Sequence, residues 1–137
     1  MVEIQISYEG QLHCTATHAP SGTRLTTDAP KDNMGRGESF SPTDLVATAL
    51  GTCILTTMAI AGQRRGLELN GATARVTKEM VTSPARRIGR LTVEIVIPQD
   101  LPEEERTRLE HAAHACPVHK SLHPDVEIPI TFRWGGK

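Results

Sequence analysis

Ser41-Pro42-Thr43-Asp44-Leu45-Val46-Ala47-Thr48-Ala49-Leu50-Gly51-Thr52-Cys53-Ile54-Leu55-Thr56-Thr57-Met58-Ala59-Ile60 is the stretch whose reading decides the fold. Ser41 is a good N-cap, Pro42 suits the first helical position, and Asp44 stands three residues after the cap. Leu45, Val46, Ala49, Leu50, Cys53, Ile54, Leu55, Met58, Ala59 and Ile60 leave almost no polar face, which predicts a helix buried on most sides. Arg64 and Arg65 complement the C-terminal end of the dipole, and Gly66 stops the helix. A chain of this size can hardly surround such a helix alone, so a partner subunit is expected.

Working outward, residues 2–7 alternate apolar and polar as a strand does, and Tyr8-Glu9-Gly10-Gln11 follows as a turn. Residues 12–17 and 23–27 read as short strands separated by Ala19-Pro20-Ser21-Gly22. A polar, glycine-containing loop over 29–40 leads into the helix; loops of that length in compact domains are often functional. Beyond the helix, residues 71–81 and 87–97 form two strands of a meander. Leu91, Val93, Ile95 and Ile97 lie on one face of the second. Asp100-Leu101-Pro102-Glu103 has a capping-box pattern that opens a second helix running through Leu109, Ala112 and Ala113 towards Cys116. Pro117 interrupts it, residues 118–122 form a short further helix, and residues 126–132 close the chain as a strand. This order is α+β, read as one domain over residues 1–137.

Composition removes several classes of function. Aromatics make up 3% of the 137 residues, which argues against base-stacking surfaces for nucleic acid, and a net charge of −1 attracts neither polyanions nor anionic membranes. The central apolar run carries Thr48, Thr52, Thr56 and Thr57 and ends in Arg64-Arg65, which fits a core helix rather than a membrane span. Three cysteines is an odd number for a secreted disulfide framework, and the opening residues read as a strand rather than a signal peptide. The expectation is a cytoplasmic protein.

Two cysteines sit where a thiol has chemical use. Cys53 lies within the apolar helix, where the alternatives are a small core residue and a reactive thiol; reactivity requires a neighbour that stabilises the thiolate. Cys116 precedes Pro117. It either caps the following helical turn, where unpaired N–H groups favour a thiolate, or ends the preceding helix and packs inward. Asp44 suits a capping role, and it also lies nine residues before Cys53, roughly 13 Å of helical rise, placed to hold a cation that reaches the thiol. The histidines around Cys116 (His114, His119, His123) and around Cys14 (His13, His18) match no common zinc spacing, so no metal is expected. Arg86, Arg87 and Arg90 read as a solvated turn.

Ser41 to Ala47, Leu50-Gly51-Thr52-Cys53, and Cys116-Pro117-Val118-His119-Lys120-Ser121-Leu122 some sixty residues later together resemble the OsmC/Ohr family. These are the osmotically inducible and organic hydroperoxide resistance proteins. The likeness extends over nearly the whole chain, including Val126-Glu127-Ile128-Pro129-Ile130. It implies an OsmC-like α+β fold built as an intertwined homodimer with its sites at the subunit interface. It further implies that Cys53 is the peroxidatic cysteine, attacking an organic hydroperoxide, and that Cys116 is the resolving cysteine. The disulfide they form would be reopened by a dithiol reductant, without a cofactor. The family's peroxidases carry a glutamate ten residues before the cysteine, where Thr43 stands here; Asp44 matches the acidic position of a second branch. They also carry an activating arginine in the first turn, and residues 8–13 contain none, which leaves Arg24, Arg36 or His13 as the candidates for that part. The family's alternative reading is a dimeric protein that binds a small apolar ligand or senses redox state. Cys14 has no role in the pattern.

Overall fold

The computed structural model describes residues 1–135, which divide along the chain, between Val46 and Ala47, into two compact units.

The first unit is a three-stranded antiparallel sheet in the order β1 (Ile4–Tyr8), β2 (His13–His18), β3 (Arg24–Asp28). The register places Cys14 opposite Tyr8 on one side and Thr27 on the other, and His13 opposite Asp28. Leu12, expected in the second strand, belongs to the turn instead. Gly10, Gln11 and Leu12 all have positive φ, between 55° and 86°. That left-handed run is closed by the His13 N–H on the Gly10 carbonyl (3.1 Å) and the Glu9 N–H on the His13 carbonyl (2.9 Å). The long loop is less open than its composition suggests. A 3-10 turn over Lys31–Asn33 tightens it. The Gly35 N–H donates to Pro30 (2.9 Å), and the Asp28 N–H donates to the Phe40 carbonyl (3.0 Å). At its end the cap forms as its residue types require: the Asp44 N–H donates to Ser41 Oγ (3.0 Å) and the Ser41 N–H to Asp44 Oδ2 (2.9 Å). The side chains of Ile4, Ile6 and Tyr8 are exposed in this single chain.

The second unit contains most of α1 (Pro42–Gln63) and a sheet in the order β4 (Thr73–Val81), β5 (Arg87–Ile97), β6 (Ile130–Trp134). β4 and β5 are antiparallel, whereas β5 and β6 run parallel. As the alternation predicts, Leu91, Val93, Ile95 and Ile97 of the central strand are all sealed from solvent. Leu50, Ile54 and Met58, spaced four apart on α1, are equally buried. Gly51 lets the helix approach β4 closely: a Cβ there would stand 3.0 Å from Val76 Cγ2.

By length and hydropathy α1 is apolar enough to cross a membrane, and its Leu50–Ile54–Met58 stripe is core here. Three expectations are corrected in this unit. Within one chain α1 is buried along that stripe rather than on most sides; Cys53 and Leu55 are half-buried and Ile60 is exposed. The capping box proposed for the second helix does not form. α2 (Glu103–His114) begins after Pro102, which makes no side-chain cap, and the acidic triplet Glu103, Glu104 and Glu105 complements the dipole instead. The closing strand starts at Ile130, because Pro129 has no N–H to give the ladder. Its carbonyl still accepts the Val93 N–H (2.9 Å), and Glu127 forms an isolated bridge with Arg90. At the far end of α1, Gly66 is left-handed (φ 71°) and the Leu67 N–H returns to the Gly62 carbonyl (2.8 Å). Arg65 reaches α2 there with two 2.6 Å bonds to Glu105.

Candidate functional site

Cys116 lies at the break between α2 and α3 (Pro117–Ser121). Its backbone is extended (φ −62°, ψ 135°), which Pro117 enforces on the residue before it, and the chain turns from one helix into the next at this point. Cys116 caps α3 as one sequence alternative has it and packs inward as the other has it, although α2 itself ends at His114. The side chain is fully buried, and it is also the N-cap of α3, where Sγ accepts the His119 N–H at 3.2 Å. The cap N–H favours a thiolate, but it meets a larger opposing effect. Burial pushes the Cys116 thiol above its ordinary range; the His119 N–H opposes that, and the neighbouring Cys53 sulfur adds to it by hydrogen bonding and by charge.

Cys53 behaves in the opposite sense. Burial pushes its thiol up, but three hydrogen-bonding groups outweigh it: the Val118 backbone N–H, the Cys116 side chain and the Thr57 hydroxyl, whose Oγ1 lies 3.8 Å from Sγ. The net effect holds Cys53 below the usual thiol range. Thus one sulfur is set up to ionise while its neighbour is set up to keep its proton. The three cysteines are all free thiols in this structure. Nearby, the ring of His114 meets those of His119 and Phe132 edge-on, at centroid distances of 6.1 and 6.4 Å.

Among the described residues the groups that favour ionisation of Cys53 are formally neutral, and two of the residues nominated as activating cations are paired with acids elsewhere. His13 is bonded through Nδ1 to the buried Asp28 (2.6 Å), with Glu9 at 3.5 Å from Nε2. Arg36 lies 3.6 Å from Glu38. Arg24 is exposed at the start of β3, paired in register with Thr17. Asp44 accepts the Ser41 N–H in the cap. Cys14 is half-buried on β2. Among the described residues no three His, Cys, Asp or Glu side chains gather as a metal site.

Two groups at the site escape a reading of sequence alone. Thr57 carries a signal, since it follows Cys53 by four residues and so shares its helix face. The Val118 N–H carries none, because a backbone amide reaches a distant sulfur only through the tertiary fold.

Among solved structures, a candidate osmotic stress induced and detoxification response protein from Psychrobacter arcticus 273-4 is 38% identical, with a TM-score of 0.92 over 97% of this chain and 96% of that one. The organic hydroperoxide resistance protein OsmC of Legionella pneumophila shares the fold at 15% identity, with a TM-score of 0.79 over 97% and 96% of the two chains. OhrB of Bacillus subtilis, also an organic hydroperoxide resistance protein, does so at 17% identity, with a TM-score of 0.73 over 97% and 98%. No curated protein matches the chain. The family model described as OsmC-like protein matches residues 35–131, a span that holds both Cys53 and Cys116. With that match over more than half its length, the chain belongs to the OsmC family.

Proposed function

We propose that this protein is a thiol-dependent peroxidase that reduces organic hydroperoxides, with Cys53 as the peroxidatic and Cys116 as the resolving cysteine. What supports the reading is the opposed tendency of two neighbouring thiols: Cys53, held below the usual thiol range, ionises more readily, and Cys116, pushed above it, keeps its proton. In the first step the Cys53 thiolate attacks the terminal oxygen of the hydroperoxide. An S–O bond forms as the O–O bond breaks, sulfur loses two electrons, and the departing alkoxide takes a proton to leave as the alcohol. In the second, Cys116 attacks the sulfenic sulfur; an S–S bond forms, and the hydroxyl leaves as water with the proton that Cys116 carried. A dithiol reductant then exchanges with the disulfide and restores both thiols. No cofactor enters this cycle, since sulfur carries the electrons.

Asp44 is assigned the supporting acid's place, as the residue in the family's acidic position. A homodimer is the proposed working form. The exposed Ile4, Ile6 and Tyr8 on β1 and the half-bare flank of α1 support it, being apolar surface that a partner would cover. A reducing cytoplasm suits three free thiols.

The test is consumption of cumene hydroperoxide in the presence of dithiothreitol by wild-type protein and by Cys53→Ser. Wild-type turnover no faster than the variant's sinks the reading. One observation favours a second: among the described residues the groups that favour ionisation of Cys53 include no cation. A non-catalytic dimer that binds a small apolar ligand or senses redox state needs none. That alternative predicts a Cys53 alkylated at the rate of an ordinary thiol, with a pH midpoint of about 8.5.

A further inference from the structure

The threonines of α1 do not all use their hydroxyls alike. Thr52 turns its hydroxyl back onto the helix, donating to the Thr48 and Ala49 carbonyls at 2.9 and 3.2 Å, the usual resting place for a helical threonine. Thr56 is exposed to solvent. Thr57 does neither. It is half-buried, its hydroxyl lies 3.8 Å from Cys53 Sγ, and among the described residues it has no other partner. A hydroxyl that gives up the backbone carbonyl one turn below it and faces a sulfur has one acceptor worth donating to, and that acceptor strengthens when the sulfur carries charge. The hydroxyl can rotate, so the same group donates to the thiolate and accepts from the thiol.

We propose that Thr57 is a catalytic residue of the Cys53 site: its hydroxyl donates to the reactive thiolate and, with the Val118 amide, holds it in place of a charged partner. This rests on the peroxidase reading for its chemical purpose, but not for its measurement. Burial opposes ionisation of Cys53, and among the described residues the groups that offset it are neutral. Two of them, Val118 N–H and Thr57 O–H, do not change through the redox cycle, whereas the third, Cys116, is consumed when the disulfide forms. Thr57 is therefore the side-chain donor that remains when the dithiol reductant displaces Cys53 from the disulfide and the thiolate has to leave.

The experiment is alkylation of the full-length protein by iodoacetamide across a pH series, read by mass spectrometry on the Cys53 peptide so that Cys14 and Cys116 do not contribute. Thr57→Val, nearly isosteric, should slow Cys53 alkylation at neutral pH by about three- to tenfold, the span expected for one ordinary net hydrogen bond, and move the pH midpoint upward. Thr57→Ser keeps the hydroxyl and should behave as wild type, as should Thr56→Val, which controls for loss of a helix hydroxyl. A Thr57→Val protein with wild-type rate and midpoint overturns the proposal. So does a Thr57→Ser protein as slow as Thr57→Val, since the methyl group rather than the hydroxyl would then matter. If Thr57→Val fails to fold, the Thr57→Ser and Thr57→Ala pair decides the same question: equal midpoints overturn it. Because the probe is an alkylating agent, a shifted midpoint together with no peroxide consumption by wild type upholds Thr57 and refutes the peroxidase reading alone.

Discussion

Removing the Cys116 sulfur separates its structural part from its chemical one. The side chain is sealed from solvent, its Sγ accepts the His119 N–H at 3.2 Å, and it neighbours Cys53. Cys116→Ala deletes the cap of α3, worth about 1 kcal/mol. It also removes a buried group of roughly methylene size, worth about 0.8 kcal/mol before any cavity term. Together these predict a loss of about 2 kcal/mol and a melting temperature lower by ~6 °C for a chain of this length. Cys116→Ser keeps an acceptor for the same N–H, and serine is a strong N-cap, so it should retain most of that stability. Chemically the two variants should be alike. With one equivalent of hydroperoxide and no reductant, in a Cys14→Ser background, wild type should lose two titratable thiols per protomer. Each variant should lose one, with the product trapped by dimedone. Two thiols lost in either variant, or one in the wild type, would refute Cys116 as the resolving partner. Equal melting of Ala and Ser variants would refute the cap reasoning.

Asp28 is held below the usual carboxylate range, chiefly by its hydrogen bond from His13, so its ionised form stabilises the fold above a pH of about 4 and that contribution fades as the pH falls further. Asp28→Asn should therefore be less stable than wild type at neutral pH and converge with it in acid; urea midpoints that differ equally at both ends contradict this. Gly51→Val should destabilise by about 2 kcal/mol through overpacking against Val76, and Val76→Ala should relieve part of it, so additive losses in urea melts refute that contact. Arg65→Ala should cost little stability, and less still in high salt, because its pair with Glu105 is partly exposed. A salt-independent loss in thermal melts contradicts a surface electrostatic role.

The parts of the fold that were legible in advance are those governed by neighbours in sequence. Ser41, Pro42 and Asp44 specify a helix start because a cap needs only three consecutive residues, and both of its hydrogen bonds are present. The alternation from Leu91 to Ile97 specifies a strand with one buried face for the same reason. The errors fall where the governing partner is remote or where backbone geometry overrides residue type. Leu12 reads as a strand residue by hydrophobicity but sits in a left-handed turn. Asp100 resembles a cap, yet the helix begins after Pro102.

At the site, the sequence by itself determined which atoms are available: a thiol one helical turn from a hydroxyl, and a second thiol locked before a proline. These follow from covalent order and helical periodicity alone. Only the tertiary structure decided how they are charged. It buried Cys116 at a cap that composition reads as favouring a thiolate, and burial won, because desolvating a charged sulfur, with the Cys53 sulfur beside it, outweighs the two amides of His119 and Val118 in the balance at that thiol. It brought Val118 N–H and Cys116 to Cys53, reversing the balance there. Ionisation depends on how much water is excluded and which donors face the sulfur, and both are properties of packing rather than of residue order.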